Sequence, residues 1–434
     1  MKIFLDMVGC RLNQSEIESY ARQFTAAGHV LTDNIEEAEL VVINTCAVTN
    51  AAASDSRQKI RQAGRLGNGQ IIVTGCWSTM FPSEAASLPG VSKLVPNQSK
   101  DQLVADYSKS QGHVIDLNLL PRQPIPGSRM RTRAFIKVQD GCNNHCTFCM
   151  AVLARGQGCS RPIQEVIEDI RAALIENPQY PASAAREVVL TGVHLGSWGQ
   201  DFKPPLNLRR LVEIILKDTD VERLRLSSLE PWDLDEAFFT LWEDARVCPH
   251  LHLPLQSGSA SVLHRMARKE TPQSYARKLA QARQIIPNVA ITTDLIAGFP
   301  GESQAEFEEG LSFVKEMAFA GGHVFTYSAR PGTAAARMQP QVPHSMRKER
   351  STRLRQVLEE AGMDYRKQFL GKTLPVLWES AKLVEDKWVM KGLTGNYLKV
   401  TSTAPVSLWN RITEAHLVQV TMDGLQGEII SSYE

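Results

Sequence analysis

Three cysteines, Cys142, Cys146 and Cys149, lie within one eight-residue stretch of this 434-residue sequence. Three thiolates on one short loop can bind three irons of a [4Fe–4S] cluster and leave the fourth iron open to a small molecule. A structural zinc site is the alternative, with His145 as the fourth ligand that zinc requires. Because the residues around His145 already crowd this loop, we favour the cluster. We call these three cysteines the loop trio.

A second set of cysteines, the strand-end trio, consists of Cys10, Cys46 and Cys76. Each one follows a short apolar run that predicts a β-strand, at 3–7, 40–43 and 71–73. The carboxyl ends of parallel strands meet at one edge of a sheet, so we expect these thiols to lie together. They predict a second cluster with one open iron. Three buried core cysteines are the alternative, since unpaired cysteine is often buried.

The remaining cysteines, Cys159 and Cys248, have no partner at ligand spacing, and we predict that both are packing residues. Eight cysteines without an export signal favour metal or redox chemistry over disulfides. No run of 18 apolar residues occurs, so we expect a cytoplasmic protein without a membrane span.

The net charge is only +1, but basic residues concentrate in two stretches. These stretches could hold phosphates, or they could form a linker and a solvated helix face. They contain Arg122, Arg129, Arg131, Arg133 and Lys137, and then Arg347, Lys348, Arg350, Arg353 and Arg355.

The apolar pattern predicts an α/β architecture that would position the two trios. The first three strands alternate with helices at 13–27 and 51–63, which is typical of a doubly wound parallel sheet. Three prolines between 118 and 128 predict a linker. Further strands are predicted at 134–138, 187–190, 223–226, 251–255, 290–296 and 323–327, with helices at 163–176, 208–218, 234–243, 272–285 and 303–317.

Six strands are too few for a closed eight-stranded barrel, so we predict an open partial (β/α)6 barrel with its sites at the carboxyl ends of the strands. Alternating runs at 374–378, 387–391, 397–401 and 416–422, punctuated by glycines at 392, 395 and 424, predict a small all-β barrel. The predicted domains are 1–117, a linker 118–130, the partial barrel 131–345, a basic connecting helix 346–370 and the terminal barrel 371–434.

These motifs together resemble the methylthiotransferase branch of the radical S-adenosylmethionine (SAM) enzymes. The likeness covers nearly the whole chain and rests on segments 9–13, 44–49, 74–76, 139–149 and 155–156. Segment 392–397 resembles the small RNA-binding TRAM barrel at the end of these enzymes. One departure is the stretch after Cys149, where the family has an Ile-Ile-Pro-like sequence. Here residues 150–154 contain no proline, which predicts a differently shaped loop.

Segments 190–196, 225–231 and 327–333 resemble the subgroup that acts on N6-threonylcarbamoyladenosine at position 37 of tRNA. Sister groups act on isopentenyladenosine in tRNA or on an aspartate of a ribosomal protein. The resemblance implies that the loop-trio cluster binds SAM and cleaves it to a 5′-deoxyadenosyl radical, which takes the hydrogen from C2 of the modified adenine. The strand-end cluster would supply a sulfur that a second SAM methylates. An electron donor such as flavodoxin or ferredoxin and a sulfur donor are implied partners.

Several residues within or just after the predicted strands are candidates for holding SAM, with a structural hydrogen bond as the alternative for each. They are Thr191, Gly192, Ser228, Glu230, Gln256 and Asp294. Arg330 follows the last strand and is a candidate for substrate phosphate or for the carboxylate of threonylcarbamoyladenosine, with a surface arginine as the alternative. Tyr397 and Lys399 are candidate tRNA contacts.

Two other functions stay open from the sequence. A methylthiotransferase of the sister groups would act on isopentenyladenosine or on a ribosomal protein. An iron–sulfur electron carrier with an RNA-binding tail would hold both clusters and produce no 5′-deoxyadenosine.

Overall fold

The structure is a computed structural model that describes residues 1–112, 120–127, 130–180 and 182–430. Some predicted features therefore lie outside the described residues: the end of the first domain at 113–117, the linker residues 118–119 and 128–129 with Arg129, and the terminal residues 431–434. Linker residues 120–127 form neither helix nor strand. None of the described helices has the length and apolar character needed to cross a membrane.

The N-terminal sheet is parallel, and its strands lie in the order β2-β1-β3-β4-β5. Every residue of β3 is buried, as expected for an apolar run covered on both faces. Apolar clusters with helices lie on both faces, which confirms the predicted doubly wound sheet. The strands are β1 (Lys2–Met7), β2 (Val30–Leu31), β3 (Leu40–Thr45), β4 (Gln70–Gly75) and β5 (Val91–Val95). The helices are α1 (Arg11–Ala26), α2 (Asn50–Leu66), α3 (Cys76–Met80), α4 (Pro82–Ala86) and α5 (Leu103–Ser110).

Among the described residues, the central region contains two three-stranded parallel sheets, and their six strands form the predicted open barrel. Two three-stranded sheets meet where Ser228 bridges to His252. The strands are β6 (Arg133–Lys137), the short pair β7 (Gln139–Asp140) and β8 (Cys159–Ser160), then β9 (Glu187–Thr191), β10 (Leu224–Leu226), β11 (His250–His252), β12 (Ala290–Ala297) and β13 (Gly321–Thr326). The helices are α6 (Ala151–Arg155), α7 (Ile163–Leu174), α8 (Leu208–Asp218), α9 (Glu236–Phe239), α10 (Ala260–Arg265), α11 (Pro272–Ile285) and α12 (Gln304–Glu316).

The helix predicted at 234–243 is wrong as a continuous element. Helix α9 begins only after Asp235, whose side chain accepts a hydrogen bond from the backbone N–H of Phe238 and caps the helix. Residues Thr240–Glu243 then tighten into a 3-10 turn, and both Phe239 and Leu241 reach the core. The strand predicted at 251–255 also ends early, because Pro254 has no N–H to donate to a neighbouring strand.

Helix α13 (His344–Lys367) connects the partial barrel to the terminal region, whose five strands close into a small barrel. Trp378, Met390 and Leu417 are buried in its core. Gly392 lies inside a strand rather than at a turn, and glycine is needed there because a Cβ would be 2.5 Å from the carbonyl oxygen of Leu377. The strands are β14 (Thr373–Val384), β15 (Lys387–Thr394), β16 (Lys399–Ala404), β17 (Ile412–Val420) and β18 (Leu425–Ile429).

Candidate functional site

A cavity of about 1490 Å³ lies where the carboxyl edge of the N-terminal sheet faces the open side of the partial barrel. The strand-end trio lines it, and so does Cys149 of the loop trio. Helix α13 and the turn between the second and third strands of the terminal barrel complete the wall with Arg347, Arg355 and Tyr397. All three folded regions therefore contribute side chains to one space.

The loop trio is held on a loop that directs backbone N–H groups at its sulfurs. The N–H of Asn144 lies 3.4 Å from Cys142 Sγ, and the N–H of Ala151 lies 3.4 Å from Cys149 Sγ. The loop begins at Gly141, which has a φ of 68° and leaves no room for a Cβ, since that atom would lie 1.9 Å from the carbonyl oxygen of Gln157. N–H donors of this kind favour the thiolate form that iron requires.

Two cations also contact the loop trio. His194 hydrogen-bonds to Cys142 and, through Nε2, to Asp233 Oδ2 at 2.7 Å. Burial would lower the pKa of His194, but the bonds to Asp233 and Cys142 raise it to about 9. Arg268 Nη1 lies 3.8 Å from Cys146 Sγ. Protonated His194 and Arg268 thus place positive charge beside two sulfurs of the loop trio.

The cysteines of the strand-end trio lie at the carboxyl ends of three neighbouring strands and line the same cavity. Cys10 precedes α1, Cys46 follows β3, and Cys76 begins α3 directly after β4. Gly9, with a φ of 111°, brings the first loop against Cys46, and a Cβ on this glycine would lie 2.5 Å from Cys46 Sγ. Burial raises the pKa of Cys46 to about 11, so metal binding there must displace a proton.

Arg155 links the strand-end trio to the segment that carries the loop trio. It belongs to α6, six residues after Cys149, yet its Nε lies 3.2 Å from Cys76 Sγ. Its Nη2 donates to Asn13 Oδ1 at 2.9 Å. Its Nη1 lies 3.1 Å from Glu16 and 2.9 Å from Asp140. One guanidinium therefore joins α1 and α3 to β7, the short strand that leads into the loop trio.

A buried charge network surrounds Arg155. Lys100 lies 2.5 Å from Glu16 and 3.1 Å from Asp140, and both Lys100 and Glu16 are fully buried. Burial alone would raise the pKa of Glu16, but Arg155, Lys100 and Lys137 together hold it well below its usual value. Through Arg155, this ionised network fixes the position of Cys76 in the strand-end trio.

The donor chemistry of both trios fits [4Fe–4S] clusters. Among the described residues, no three His, Cys, Asp or Glu side chains converge closely enough to hold a single metal ion. A cluster makes no such demand, because each thiolate binds a different iron. Each trio also has a proton donor at a sulfur, as in the bonds to Cys142 and Cys76.

The structure brings five of the six predicted SAM-binding residues to the cavity: Thr191, Gly192, Ser228, Gln256 and Asp294. Asp294 lies 3.3 Å from His252 Nε2. Glu230 is not among the residues that line the cavity. Its carboxylate lies 2.5 Å from Arg268, so it orients the cation beside Cys146.

The predicted substrate residues also line the cavity, but two of them have partners within the protein. Arg330 donates to Asn50 Oδ1 at 2.5 Å and to the carbonyl oxygen of Val48 at 3.0 Å. The Tyr397 ring stacks on His250 with a centroid distance of 4.2 Å, and its hydroxyl accepts from Arg11 at 2.9 Å. Lys399 is exposed at the cavity edge.

Sequence reasoning assigned no role to Arg155, His194 or Arg268. Arg155 and His194 fall in segments already singled out, but neither has a spacing that predicts contact with a cysteine. The prediction for Cys159 is wrong, because this residue is exposed on the short strand β8, whereas Cys248 is buried as predicted.

Three members of the first basic stretch have partners within the protein. Arg122 donates to the carbonyl oxygens of Arg131 and Arg133. Lys137 pairs with Asp101 at 2.5 Å, and Arg133 pairs with Glu379 at 2.6 Å. This stretch therefore joins parts of the fold to one another.

Comparisons with known proteins agree with this arrangement. A family model described as "Uncharacterized protein family UPF0004" matches residues 2–96, and one described as "Radical SAM superfamily" matches residues 136–314. The chain is 35% identical to the threonylcarbamoyladenosine tRNA methylthiotransferase MtaB of Bacillus subtilis, over 98% of this chain and 96% of that protein. It is 31% identical to a tRNA-2-methylthio-N(6)-dimethylallyladenosine synthase of Caldicellulosiruptor saccharolyticus, over 97% of this chain and 91% of that protein.

Solved structures share the fold at low sequence identity. The radical S-adenosylmethionine methyltransferase TsrM from Kitasatospora setae, solved with cobalamin and a [4Fe-4S] cluster, matches with a TM-score of 0.55 at 14% identity and 77% coverage of each chain. The cobalamin-dependent S-adenosylmethionine radical enzyme OxsB matches with a TM-score of 0.52 at 10% identity, over 83% of this chain and 56% of that chain. These likenesses concern the fold alone.

Proposed function

Because the chain belongs to the radical SAM methylthiotransferase family, we propose that it attaches a methylthio group to C2 of N6-threonylcarbamoyladenosine at position 37 of tRNA. SAM and [4Fe–4S] clusters are the cofactors of this family. The relative from Thermotoga maritima, at 35% identity over 98% of this chain and 95% of that protein, carries the same threonylcarbamoyladenosine name as the Bacillus protein. The dimethylallyladenosine enzyme is more distant, at 31%.

The observation that carries this proposal is the shared cavity. Cys149 and the whole strand-end trio line it, so a substrate held there has both sets of cysteines at its border. When bound, the loop-trio cluster supplies the electron that splits SAM, and the strand-end cluster supplies the sulfur. A carrier of electrons alone needs no substrate-sized cavity between its two cysteine sets, so the cavity favours the enzyme.

The chain's own residues have distinct tasks in this proposal. Thr191, Ser228 and Gln256 present hydroxyl and amide groups to SAM beside Cys149. The hydrogen bond from His194 keeps the pKa of Cys142 below its usual value despite burial, and Arg268 places a positive charge beside Cys146 that opposes the rise in pKa caused by burial. Arg330, fixed beside Cys46, offers its remaining donor capacity to the threonyl carboxylate.

The organisation and partners follow from the same proposal. We retain the domains 1–117, 131–345 and 371–434, joined by the linker 118–130 and the helix 346–370. A flavodoxin or ferredoxin would deliver electrons, and a separate sulfur donor would replenish the strand-end cluster. The cytoplasmic location stays a prediction.

Nucleoside mass spectrometry of bulk tRNA tests the substrate. In a strain without this gene, we expect 2-methylthio-N6-threonylcarbamoyladenosine to disappear and its unmethylthiolated precursor to accumulate. The plasmid-borne gene should restore the product, and a Cys142→Ala variant should not. An unchanged level of the product would overturn the proposal. Loss of 2-methylthio-isopentenyladenosine instead would identify the sister activity.

A further inference from the structure

We propose that one face of helix α13 binds the RNA backbone along the wall of the cavity. Arg347, Arg355 and Arg366 form this face, which we call the arginine track. The inference rests on the proposed function, because it assigns phosphates of the tRNA substrate to this helix rather than to the terminal barrel.

The cavity has a strong excess of positive charge. Its wall contains two carboxylates, Asp294 and Asp423, and Asp294 already lies 3.3 Å from His252. A concave surface lined mainly by one sign of charge attracts ligands of the opposite sign. The cavity therefore suits a polyanion. The lysine and arginine side chains of the wall are Arg11, Arg155, Arg330, Arg347, Arg355, Arg366 and Lys399.

The geometry of α13 places the three arginines on one side of the helix, spread along its axis. At 3.6 residues per turn, Arg355 and Arg366 fall within an arc of about 100° from Arg347. At 1.5 Å per residue, the 19 residues from Arg347 to Arg366 correspond to about 28 Å. One strand of a duplex advances about 3.4 Å per nucleotide, so this length matches a chain of nucleotides rather than a mononucleotide.

The track differs from the rest of the helix in its ion pairs. Arg350 lies 2.8 Å from Glu302, and Arg353 lies 2.6 Å from Glu308, so the charges of these two arginines are neutralised. Across the described parts of the chain, no carboxylate forms a salt bridge with Arg347, Arg355 or Arg366. These three unpaired arginines line the cavity.

The backbone orients the track without neutralising it. Arg347 donates to the carbonyl oxygen of Tyr327 at 2.6 Å, and Arg355 donates to that of Val324 at 3.0 Å. Each guanidinium has five N–H donors, so most remain available for phosphate oxygens. Tyr397 of the terminal barrel, in contrast, already has one ring face against His250 and its hydroxyl bonded to Arg11.

Salt-dependent binding tests the track. The holoenzyme would be titrated with tRNA from the deletion strain over a series of KCl concentrations, and the logarithm of the association constant plotted against that of the salt concentration. An arginine that binds a phosphate adds about 0.7–0.9 to the magnitude of this slope. We expect Arg355→Gln/Arg366→Gln to make the slope shallower by roughly twice that amount.

The helix offers a matched control. Arg353→Gln removes an arginine two residues from Arg355 whose charge Glu308 neutralises, and should leave the slope unchanged. Arg355→Lys keeps the charge and should keep the slope, which separates charge from packing if the double variant folds poorly. Equal losses for Arg353→Gln and Arg355→Gln would overturn the track. Binding of polyglutamate by the wild-type enzyme, with the same salt slope as for tRNA, would also overturn the track, because it would indicate an acidic protein partner.

The same preparation separates the track from the proposed function. Wild-type enzyme that methylthiolates the tRNA while Arg355→Gln/Arg366→Gln binds with an unchanged slope would overturn the track alone. Wild-type enzyme that shows the predicted slopes but leaves the tRNA unmodified would support the track and count against the proposed function.

Discussion

The two cysteine trios border the same cavity but are built in different ways. The loop trio lies on one loop, so its spacing alone fixes which thiols can share a cluster. The strand-end trio depends on the sheet, because Cys46 and Cys76 directly follow Thr45 and Gly75, which are paired in register. The comparison shows that a ligand set can be local in sequence or created entirely by topology.

The trios also differ in their surroundings. The sulfurs of the loop trio contact backbone N–H groups and two cationic side chains of the partial barrel, His194 and Arg268. The strand-end trio is supported from a fully buried charge network through Arg155. Because Arg155 follows the loop trio in sequence, the position of one trio is coupled to the position of the other.

Replacing the cysteines of either trio should give the largest effect, a loss of bound iron. It would also test whether the two trios bind their clusters independently. The triple variant Cys10→Ala/Cys46→Ala/Cys76→Ala should lose half of the bound iron and keep the spectrum of one [4Fe–4S] cluster. The corresponding loop-trio variant should lose the other half. Iron analysis and absorbance spectra measure both, with exposed Cys159→Ala as the control. Loss of all iron from either variant would contradict independent sites.

Arg155→Ala should give the next largest effect, a loss of stability that begins at the charge network beside the strand-end trio. It leaves Glu16 and Asp140 with one buried partner fewer, and such changes cost about 3–5 kcal/mol of unfolding free energy. Urea unfolding measures this loss. Arg186→Ala, which removes an exposed pair with Glu222, should cost no more than about 1 kcal/mol. Equal losses would mean that the network does not support the fold.

The smallest effect expected is on the reduction potentials. Arg155→Gln removes a positive charge from beside Cys76, and His194→Gln removes one from beside Cys142. Each should lower the potential of its own cluster by on the order of tens of millivolts and leave the other unchanged. A redox titration followed by electron paramagnetic resonance distinguishes the two signals. Equal shifts of both signals after one substitution would show that the clusters are not electrostatically separate.

The same contrast explains what the sequence could predict. Apolar runs such as 40–43 predict buried strands, and a cysteine after each of three such strands predicts the strand-end trio. The partners of Arg155 could not be predicted, because α6 contacts α3 only through tertiary packing. Glu230 likewise pairs with Arg268, which lies 38 residues away along the chain. The break after Phe239 also depends on tertiary structure, since both Phe239 and Leu241 must reach one core.

The stretch after Cys149 shows a further limit. Its lack of proline predicted an altered loop, and the structure forms the short helix α6 there, with Ala154 and Arg155 buried. This helix is what carries Arg155 to Cys76. The sequence position of Arg155 does not predict this contact, because Cys76 lies 79 residues away along the chain.

The central claim is that the two trios perform different tasks in one reaction, and measuring two products together tests it most directly. Reconstituted, reduced enzyme would be given SAM and tRNA from the deletion strain, and both 5′-deoxyadenosine and methylthiolated nucleoside would be quantified. We predict both products from the wild type, neither from Cys142→Ala, and 5′-deoxyadenosine without methylthiolated nucleoside from Cys46→Ala. Full methylthiolation by Cys46→Ala, or continued 5′-deoxyadenosine formation by Cys142→Ala, would contradict the account.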